Sequence, residues 1–394
     1  MAEAARPRLT GHLPGLDGVR GLAILMVMAI HFVGDATAQT FVQTVVVKAA
    51  SYGLLGVDLF FVLSGFLITG LLLDAKNGPH YFRNFYARRT LRIFPLYYGV
   101  LVVLFLLLPL VVAPLPPLLE QAREHQGWLW TYTTNFYVAY TSSWSSLTYV
   151  THFWSLAIEE HFYLFWPLVV FALRRETLER VCVGVIAAGL ALRIGLALAD
   201  VSELSISVLT PCRIDTLCVG ALLATVARRE NGLQMLLGRC GRVALVLAAA
   251  LLVLSTYCAL AKTGLPVLHQ IRNTLYALFF GAVTLLGLRP GTELVSRAFR
   301  SRALRFFGKY SYGLYVYHGL LAWYFYEVAA EQRLDALIGN HWLAIGVKAA
   351  IGVSLSLVVA VLSYELFEKR FLSLKRLFEA QQAPPATRAM SARN

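Results

Sequence analysis

The chain of 394 residues combines an apolar composition with a positive charge. Hydrophobic residues make up 58% of it and charged residues 14%, against about 25% charged residues in an ordinary soluble domain. A soluble fold could not bury so many apolar side chains, because many runs reach the roughly 20 residues that cross a bilayer. The net charge of +13 lies in short loops between these runs, which argues for membrane topology and against nucleic-acid binding.

Ten apolar runs predict an all-α bundle of about ten transmembrane helices. We place them at 17–34, 53–73, 93–113, 152–173, 181–199, 212–227, 243–261, 272–288, 306–326 and 342–362. Most Arg and Lys residues lie near the two ends of the chain and in the loops after the second, fourth, sixth and eighth runs. Positive charge stays cytoplasmic, so both termini are predicted to face the cytoplasm of a multi-pass protein in the bacterial inner membrane.

The domain organisation is predicted to be simple. Residues 1–377 form a single integral-membrane domain, and 378–394 form a short disordered cytoplasmic tail. The first apolar run lacks a cleavage site and is expected to remain as an anchor. The five cysteines show no paired spacing, so neither a disulfide framework nor a metal site is expected. The longest outer loop, about 114–151, is rich in Trp and Tyr, which are typical of a membrane-interface belt or of contacts with sugar rings.

Polar residues inside the apolar runs are candidates for function, because a charge at the centre of a membrane helix costs about 2.5–3.5 kcal/mol. Arg20 and His31 share one face of the first helix, separated by a rise of about 16 Å. On the fourth helix, Glu159 is predicted to lie at the depth of His31, and Asp58 enters slightly shallower. A histidine beside a carboxylate can deprotonate a hydroxyl, so His31, Glu159 and Asp58 are the candidate catalytic residues. The alternative is that such histidines only pack between helices.

Basic residues gather at the start of the third predicted helix. Arg89 and Arg92 are three residues apart and share a helical face, with Arg88 beside them. Guanidinium groups bind phosphate oxygens through paired hydrogen bonds, so these three residues and Arg20 are candidate ligands of a nucleotide phosphate. The alternative is that they only set the topology.

Two further arginines are predicted to have structural roles. Arg193, near the outer end of the fifth helix, is expected to extend towards the membrane surface. Arg213 and Asp215 are interpreted either as an ion pair at a helix mouth or as part of the polar layer around His31.

Six segments occur together in one order along the chain. They are GLDGVRGLAILMVMAIHF at 15–32, GVDLFFVLSGFLITG at 56–70, FYARRTLRIFPLYY at 85–98, HFWSLAIEEHFYLFWP at 152–167, RIDTLCVGALLA at 213–224 and YSYGLYVYH at 310–318. In this order they resemble the acyltransferase 3 family of integral-membrane O-acyltransferases over nearly the whole chain. The resemblance implies transfer of an acetyl or other short acyl group from acyl-CoA, with His31 as the essential histidine and Arg20, Arg89 and Arg92 as the arginines associated with acyl-CoA.

The sequence therefore predicts an O-acyltransferase that uses cytoplasmic acyl-CoA as a co-substrate rather than as a permanent cofactor. The acceptor is expected to be a hydroxyl of a glycan, a lipid-linked sugar or a glycosylated metabolite at the outer side, deprotonated by His31. Some family members carry an additional extracytoplasmic hydrolase-like domain; without one, the membrane domain is expected to bind the acceptor itself. Direct attack and a covalent acyl-enzyme on Ser64 or an outer tyrosine both stay open. The alternative function is a transporter or flippase, because charges at mid-membrane also line transport paths.

Overall fold

The computed structural model describes residues 9, 11–34, 36–261, 265–291 and 293–378. Helices take up most of these residues, and no strand occurs among them, which confirms the all-α fold class. Only Phe378 of the predicted tail is described, so that prediction lies outside the described residues.

Ten helices of 16 or more residues form the body of the described chain. In chain order, α1 to α10 are Pro14–Ala29, Leu55–Ala75, Tyr81–Val102, Trp154–Ala172, Arg175–Leu198, Thr210–Val226, Gly232–Leu260, Pro266–Leu288, Ser311–Glu327 and His341–Ser363. Each overlaps one of the predicted runs. The apolar runs of the sequence therefore predict which segments are helical, although several observed helix ends differ from the predicted ones.

Shorter helical segments connect and extend these ten helices. The short α-helices are Phe41–Ser51, Leu108–Val111, Pro117–Glu124, Gly127–Trp130, Thr134–Thr141, Glu203–Val208, Leu294–Phe299, Arg302–Lys309, Ala330–Ile338 and Lys369–Ser373. Single turns of 3₁₀ helix occur at Tyr52–Leu54, Trp144–Leu147, Thr151–Phe153 and Leu374–Phe378, and π turns at Ile30–Gly34, Val103–Leu107 and Tyr364–Glu368. The predicted outer loop at 114–151 is thus built largely from short helices.

Two boundaries differ from the prediction in ways that affect the site. Helix α3 begins at Tyr81, twelve residues before the predicted start at 93, so its basic residues lie inside the helix rather than at its entrance. The predicted run 306–326 begins within the separate helix Arg302–Lys309, and α9 starts only at Ser311. In both cases a polar stretch is helical because other helices pack around it, which a count of apolar residues does not detect.

Seven helical segments are long and apolar enough to cross a membrane, so the chain is a multi-pass membrane protein. They are Pro14–Gly34, Phe41–Ala75, Tyr81–Val111, Arg175–Leu198, Gly232–Cys258, Pro266–Leu288 and His341–Phe378. Helices α4, α6 and α9 are not in this set. Helices α6 and α9 have only 17 residues each, and α4 carries two glutamates and a histidine. Ten crossings and cytoplasmic termini stay predictions.

Helices α2 and α6 approach each other through glycine. A Cβ atom at Gly65 would lie 1.9 Å from the carbonyl oxygen of Leu217, and one at Gly220 would lie 1.9 Å from that of Val62. Small residues allow such backbone contact between membrane helices, where dispersion forces drive the packing. The contact fixes the position of α2, whose other residues line the cavity described below.

We expect Gly220→Ala to destabilise the protein by about 1–3 kcal/mol, the range for overpacking a filled core. The added methyl group would overlap the backbone of α2 and force the two helices apart. The measurement is thermal unfolding in detergent, with Gly184→Ala on α5 as the control, because nothing lies within 4 Å of a Cβ atom there. Equal melting temperatures for the two variants would contradict this account of the packing.

Candidate active site

A cavity of about 910 Å³ opens between α1, α2, α3, α4 and α9. It follows α2 from Asp74 back to Val57, which is roughly 25 Å of helix. Arginines line one end of it, and Ser155 of α4 and Tyr315 of α9, whose ring packs against Phe60, line the end that we call the inner end. The cavity therefore offers room for a long, narrow ligand that is negatively charged at one end.

All four predicted phosphate ligands line this cavity, and one further cation joins them. Arg20, Arg88, Arg89 and Arg92 are in its wall, and Lys375, from the turn Leu374–Phe378, interacts electrostatically with all four. We call these five residues the cationic cluster. No feature of the sequence indicates that Lys375 belongs to this group, because nearly 300 residues separate it from the arginines of α3.

The cationic cluster lacks the directly bonded carboxylate partners that other basic residues of the protein have, although carboxylates such as Glu159 and Glu160 act on Arg89 electrostatically. Arg228, for example, forms a salt bridge with Asp74, and Arg229 forms one with Glu179. Among the described residues, none of the five cluster side chains forms a hydrogen bond or a salt bridge with a carboxylate. Like charges held together repel each other unless an anion neutralises them. The cluster is therefore suited to a ligand with several phosphate groups.

Glu159 lies further along the cavity, in a group of polar residues. The Ser64 hydroxyl is 2.5 Å from the Tyr163 hydroxyl, and the Glu159 carboxyl interacts with both. The Arg89 guanidinium stacks over the Tyr163 ring, 5.4 Å from its centroid, and attracts Glu159 electrostatically. Glu159 is thus placed to hold Arg89 and the two hydroxyls in position.

His31 lies beyond the inner end of the cavity, together with two other histidines. It belongs to the π turn that ends the first membrane helix, and its ring centroid is 4.9 Å from that of His318 on α9. The His318 centroid is 5.2 Å from that of His152, which precedes α4. Gly319 makes this approach possible, because a Cβ atom there would lie 2.3 Å from the His152 ring. We call His31, His152 and His318 the histidine cluster.

Hydrogen bonds to carbonyl oxygens define which nitrogen of each imidazole carries the proton. His31 Nδ1 lies 2.8 Å from the Val27 oxygen, His318 Nδ1 lies 3.0 Å from the Leu314 oxygen, and His152 Nε2 lies 3.1 Å from the Val316 oxygen. A carbonyl oxygen only accepts, so these nitrogens are the donors. In each neutral ring the other nitrogen keeps a lone pair: Nε2 in His31 and His318, and Nδ1 in His152.

Tyr315 and Ser155 separate the histidine cluster from the cavity. Their hydroxyls are 2.5 Å apart, and the Tyr315 hydroxyl donates to the His152 carbonyl oxygen at 2.9 Å. The Tyr315 ring centroid is 5.6 Å from that of His152 and 5.5 Å from that of His318. Both residues therefore contact the cavity on one side and the histidines on the other.

The action of His31 and Glu159 as a pair, which the sequence predicts, stays a prediction. Of the histidine cluster, His152 is the member nearest to Glu159 along the chain, and it precedes Glu159 by about two helical turns, or about 10 Å. The ring contacts of His31 run to His318, whereas Glu159 contacts residues of the cavity. Among the described residues, no group of three or more His, Cys, Asp or Glu could hold a metal ion.

The third candidate catalytic residue, Asp58, is in a buried ion pair. Its carboxylate lies 2.6 Å from the Arg213 guanidinium, and the two side chains are 8% and 9% exposed. The predicted pairing of Arg213 with Asp215 is therefore wrong. Residues two apart on a helix face different directions, and Arg213 instead reaches across to α2. Asp58 contributes to the contact between α2 and α6 rather than to the cavity wall.

Arg193 does not extend to the membrane surface as predicted. Its side chain is 2% exposed and lies 2.6 Å from Asp215 on α6, and it also donates to Thr274 on α8. The prediction was wrong because a carboxylate on a neighbouring helix neutralises the guanidinium inside the bundle, so this arginine needs no water. The periodicity of one helix carries no information about the opposite charge on another.

We expect Asp58→Asn to destabilise the protein by about 3–5 kcal/mol, because it leaves the buried Arg213 charge without its partner. Adding Arg213→Gln should recover most of this loss, since two neutral side chains then face each other. The measurement is thermal unfolding of both single variants and the double variant in detergent. A double variant that is stable but inactive would instead support a catalytic role for Asp58.

Residues 13–365 match the family of acyltransferase domains that the sequence resembles, the acyltransferase 3 family. The chain belongs to this family. The matched range contains α1 to α10, the arginines of the cationic cluster and the whole histidine cluster.

Relatives of this acyltransferase 3 protein are named as O-acetyltransferases or putative O-acetyltransferases. OatA of Listeria monocytogenes, a peptidoglycan O-acetyltransferase, is 28% identical over 371 residues, which cover 91% of this chain and 55% of OatA. YrhL of Bacillus subtilis, provisionally given the same activity, is 29% identical over 381 residues, covering 91% of this chain and 54% of YrhL. The chain thus spans about half the length of the curated relatives it matches. No solved structure matches it significantly.

Proposed function

We propose that this protein is a membrane O-acyltransferase that transfers an acetyl group from acetyl-CoA to a hydroxyl of a glycan. The observation that carries the proposal is the cavity itself. Four arginines that form no hydrogen bond or salt bridge with a carboxylate line its basic end, with Lys375 close by, and its inner end adjoins three oriented imidazoles. Membership of the acyltransferase 3 family supports the reaction class. The O-acetyltransferase names of the relatives support acetyl as the acyl group and a cell-wall glycan as the acceptor.

The cationic cluster suits the nucleotide end of acyl-CoA. That end carries a diphosphate and a separate phosphate, and several guanidinium groups can bind these oxygens in pairs. The pantetheine arm is long and mostly uncharged, so it fits the part of the cavity that runs along α2 past Ser64. In this orientation the thioester reaches Tyr315 and Ser155, next to the histidine cluster.

His31 is the proposed base. Its Nδ1 proton is held by the Val27 carbonyl oxygen, so Nε2 has the lone pair that accepts the proton of an acceptor hydroxyl. The hydroxyl oxygen then forms a bond to the thioester carbon, and the bond from that carbon to sulfur breaks. Glu159 acts on the donor side in this scheme, because it interacts with Ser64 and Tyr163 and attracts Arg89 electrostatically.

A covalent route through Ser64 is a second possibility, because the Ser64 hydroxyl is 2.5 Å from Tyr163 and also contacts Glu159. A carboxylate and a phenol beside a serine can activate it as a nucleophile. Incubation with radiolabelled acetyl-CoA in the absence of acceptor distinguishes the routes. Label bound to wild type but not to Ser64→Ala supports the covalent route, and the absence of bound label supports direct attack.

The test of the proposal is turnover of acetyl-CoA by the detergent-purified protein. Free CoA is measured with a thiol reagent, with and without a soluble peptidoglycan fragment that carries N-acetylmuramic acid. We expect slow release of CoA that the fragment accelerates, and O-acetylated fragment detected by mass spectrometry. The absence of both CoA turnover and CoA binding would contradict the proposal. It would favour the transporter, which does not consume a thioester.

A further inference from the structure

A second, smaller cavity adjoins the basic end of the large one. It has a volume of about 260 Å³ and lies between the end of α2, the first turns of α3 and the turn Leu374–Phe378. Arg88, Arg89 and Arg92 line both cavities, whereas Lys375 lines the smaller one. The two cavities therefore meet at the cationic cluster, and a ligand whose centre is held there can extend into both.

The wall of the smaller cavity combines aromatic rings with an unpaired cation. Phe85 of α3 and Phe378 supply two of the rings. Lys375 forms no hydrogen bond or salt bridge within the part of the chain that the structure describes. A carboxylate in this wall, that of Asp74, forms a salt bridge with Arg228, which offsets its negative charge. Aromatic rings stack on nucleobases and an ammonium group binds phosphate, so this wall suits a purine nucleotide.

We propose that the smaller cavity binds the adenosine end of acetyl-CoA and that Lys375 binds its 3′-phosphate. This inference rests on the proposed function, because it concerns the same donor. In CoA a diphosphate joins the pantetheine arm to the 5′-oxygen of an adenosine, whose 3′-oxygen carries the separate phosphate. With the diphosphate on the arginines that the two cavities share, the arm follows the large cavity and the adenosine enters the smaller one. The aromatic wall then stacks on adenine.

This placement predicts which class of thioester is the donor. Acyl groups are carried on the same pantetheine arm in two forms, as free acyl-CoA and on a phosphopantetheine attached to a serine of a carrier protein. The second form has no adenosine and no 3′-phosphate, so it leaves the smaller cavity empty and lacks the contacts there. The protein is therefore expected to select acyl-CoA over acyl carrier protein.

Three donors separate the contributions of the base and of the 3′-phosphate. Acetyl-CoA has both, acetyl-3′-dephospho-CoA has only the base, and S-acetyl-4′-phosphopantetheine has neither. KM is measured for each donor with the peptidoglycan fragment in excess. Calorimetric titration with CoA, 3′-dephospho-CoA and 4′-phosphopantetheine gives the same comparison as Kd, without turnover. We expect wild type to bind acetyl-CoA most tightly and the phosphopantetheine donor most weakly.

Lys375→Gln tests the contact with the 3′-phosphate. It should raise KM for acetyl-CoA about tenfold, as expected for the loss of one hydrogen bond between charged groups. KM for the two donors without a 3′-phosphate should stay nearly unchanged. The matched control is Arg376→Gln, which removes the charge of the adjacent residue outside both cavities. It should keep the wild-type KM for all three donors.

Phe378→Ala tests the stacking of the base. It should raise KM about five- to tenfold for both donors that contain adenine, at the low end for a base stacked on an aromatic ring. KM for S-acetyl-4′-phosphopantetheine should stay unchanged. Leu377→Ala is the control, because its side chain is 68% exposed and outside both cavities. Melting temperatures of the four variants verify that they are folded.

Two results would overturn the inference. They are equal KM or Kd values for the three compounds in wild type, and an increase in Lys375→Gln that is the same for all three. The failure of the proposed function looks different, because wild type would then acetylate no fragment with any donor, while the Kd values still report on the cavity. A poorly folded Lys375→Gln does not remove the test, since Phe378→Ala and the wild-type comparison each decide it.

Discussion

His31→Gln is expected to abolish acyl transfer while leaving acetyl-CoA bound as tightly as in wild type. The amide cannot accept a proton from the acceptor hydroxyl, and loss of a general base costs typically about 10²–10⁴-fold in rate. Binding should persist, because His31 lies outside the cavity wall and beyond Tyr315. The measurement is kcat from release of CoA, beside the dissociation constant of a non-hydrolysable acetyl-CoA analogue.

His125→Gln is a suitable control for the His31 variant. This residue packs against Tyr137 in the short helices between α3 and α4, away from the cavity. Normal turnover by His31→Gln, or equal losses in the two variants, would remove His31 from the mechanism. A loss of binding with kcat retained would mean that His31 contacts the donor instead of the acceptor.

Arg89→Ala combined with Arg92→Ala is expected to raise KM for acetyl-CoA by about two orders of magnitude with a smaller change in kcat. Hydrogen bonds to charged groups contribute about 1.5–3 kcal/mol each, and these two bind the part of the donor that does not react. Uniform binding of this kind is expressed in KM. The measurement is a kinetic series in acetyl-CoA at low and high salt, where wild-type affinity should fall as salt screens the cluster.

Arg83→Ala provides the matched control, because Arg83 is on the same helix but outside the cavity. It should leave KM unchanged. Lys375→Gln should give an intermediate increase, since it removes one of the five cations. An unchanged KM in the double variant would show that the arginines of α3 only set topology, which is the alternative that the sequence leaves open.

The helices of this protein could be predicted because the length and hydrophobicity of each apolar run indicate a helix on their own, without knowledge of its neighbours. The grouping of Arg20 with Arg89 and Arg92 could also be predicted, because all three lie near the same end of neighbouring helices. Lys375 was missed for a physical reason. It joins the cluster only when the chain folds back after α10, and no local period marks that return.

The error about Arg193 shows what a single sequence cannot give. Depth along a helix follows from counting residues, but the rotation of one helix against its neighbours does not. His318 and His152 meet because Gly319 is small enough to admit a ring. This contact joins two residues that are 166 positions apart in the chain. A single sequence places such groups in one layer of the membrane but cannot say which of them touch.

The buried pairs of α6 have a consequence for how the protein is made. This helix has 17 residues and carries both Arg213 and Asp215, each of which costs about 2.5–3.5 kcal/mol when a single segment enters the bilayer alone. Its partners, Asp58 on α2 and Arg193 on α5, are synthesised earlier. During translation, the charges of Asp58 on α2 and Arg193 on α5 therefore lack their α6 partners until α6 leaves the ribosome. We expect these helices to stay beside the insertion machinery until then, and to enter the lipid together as a neutral group.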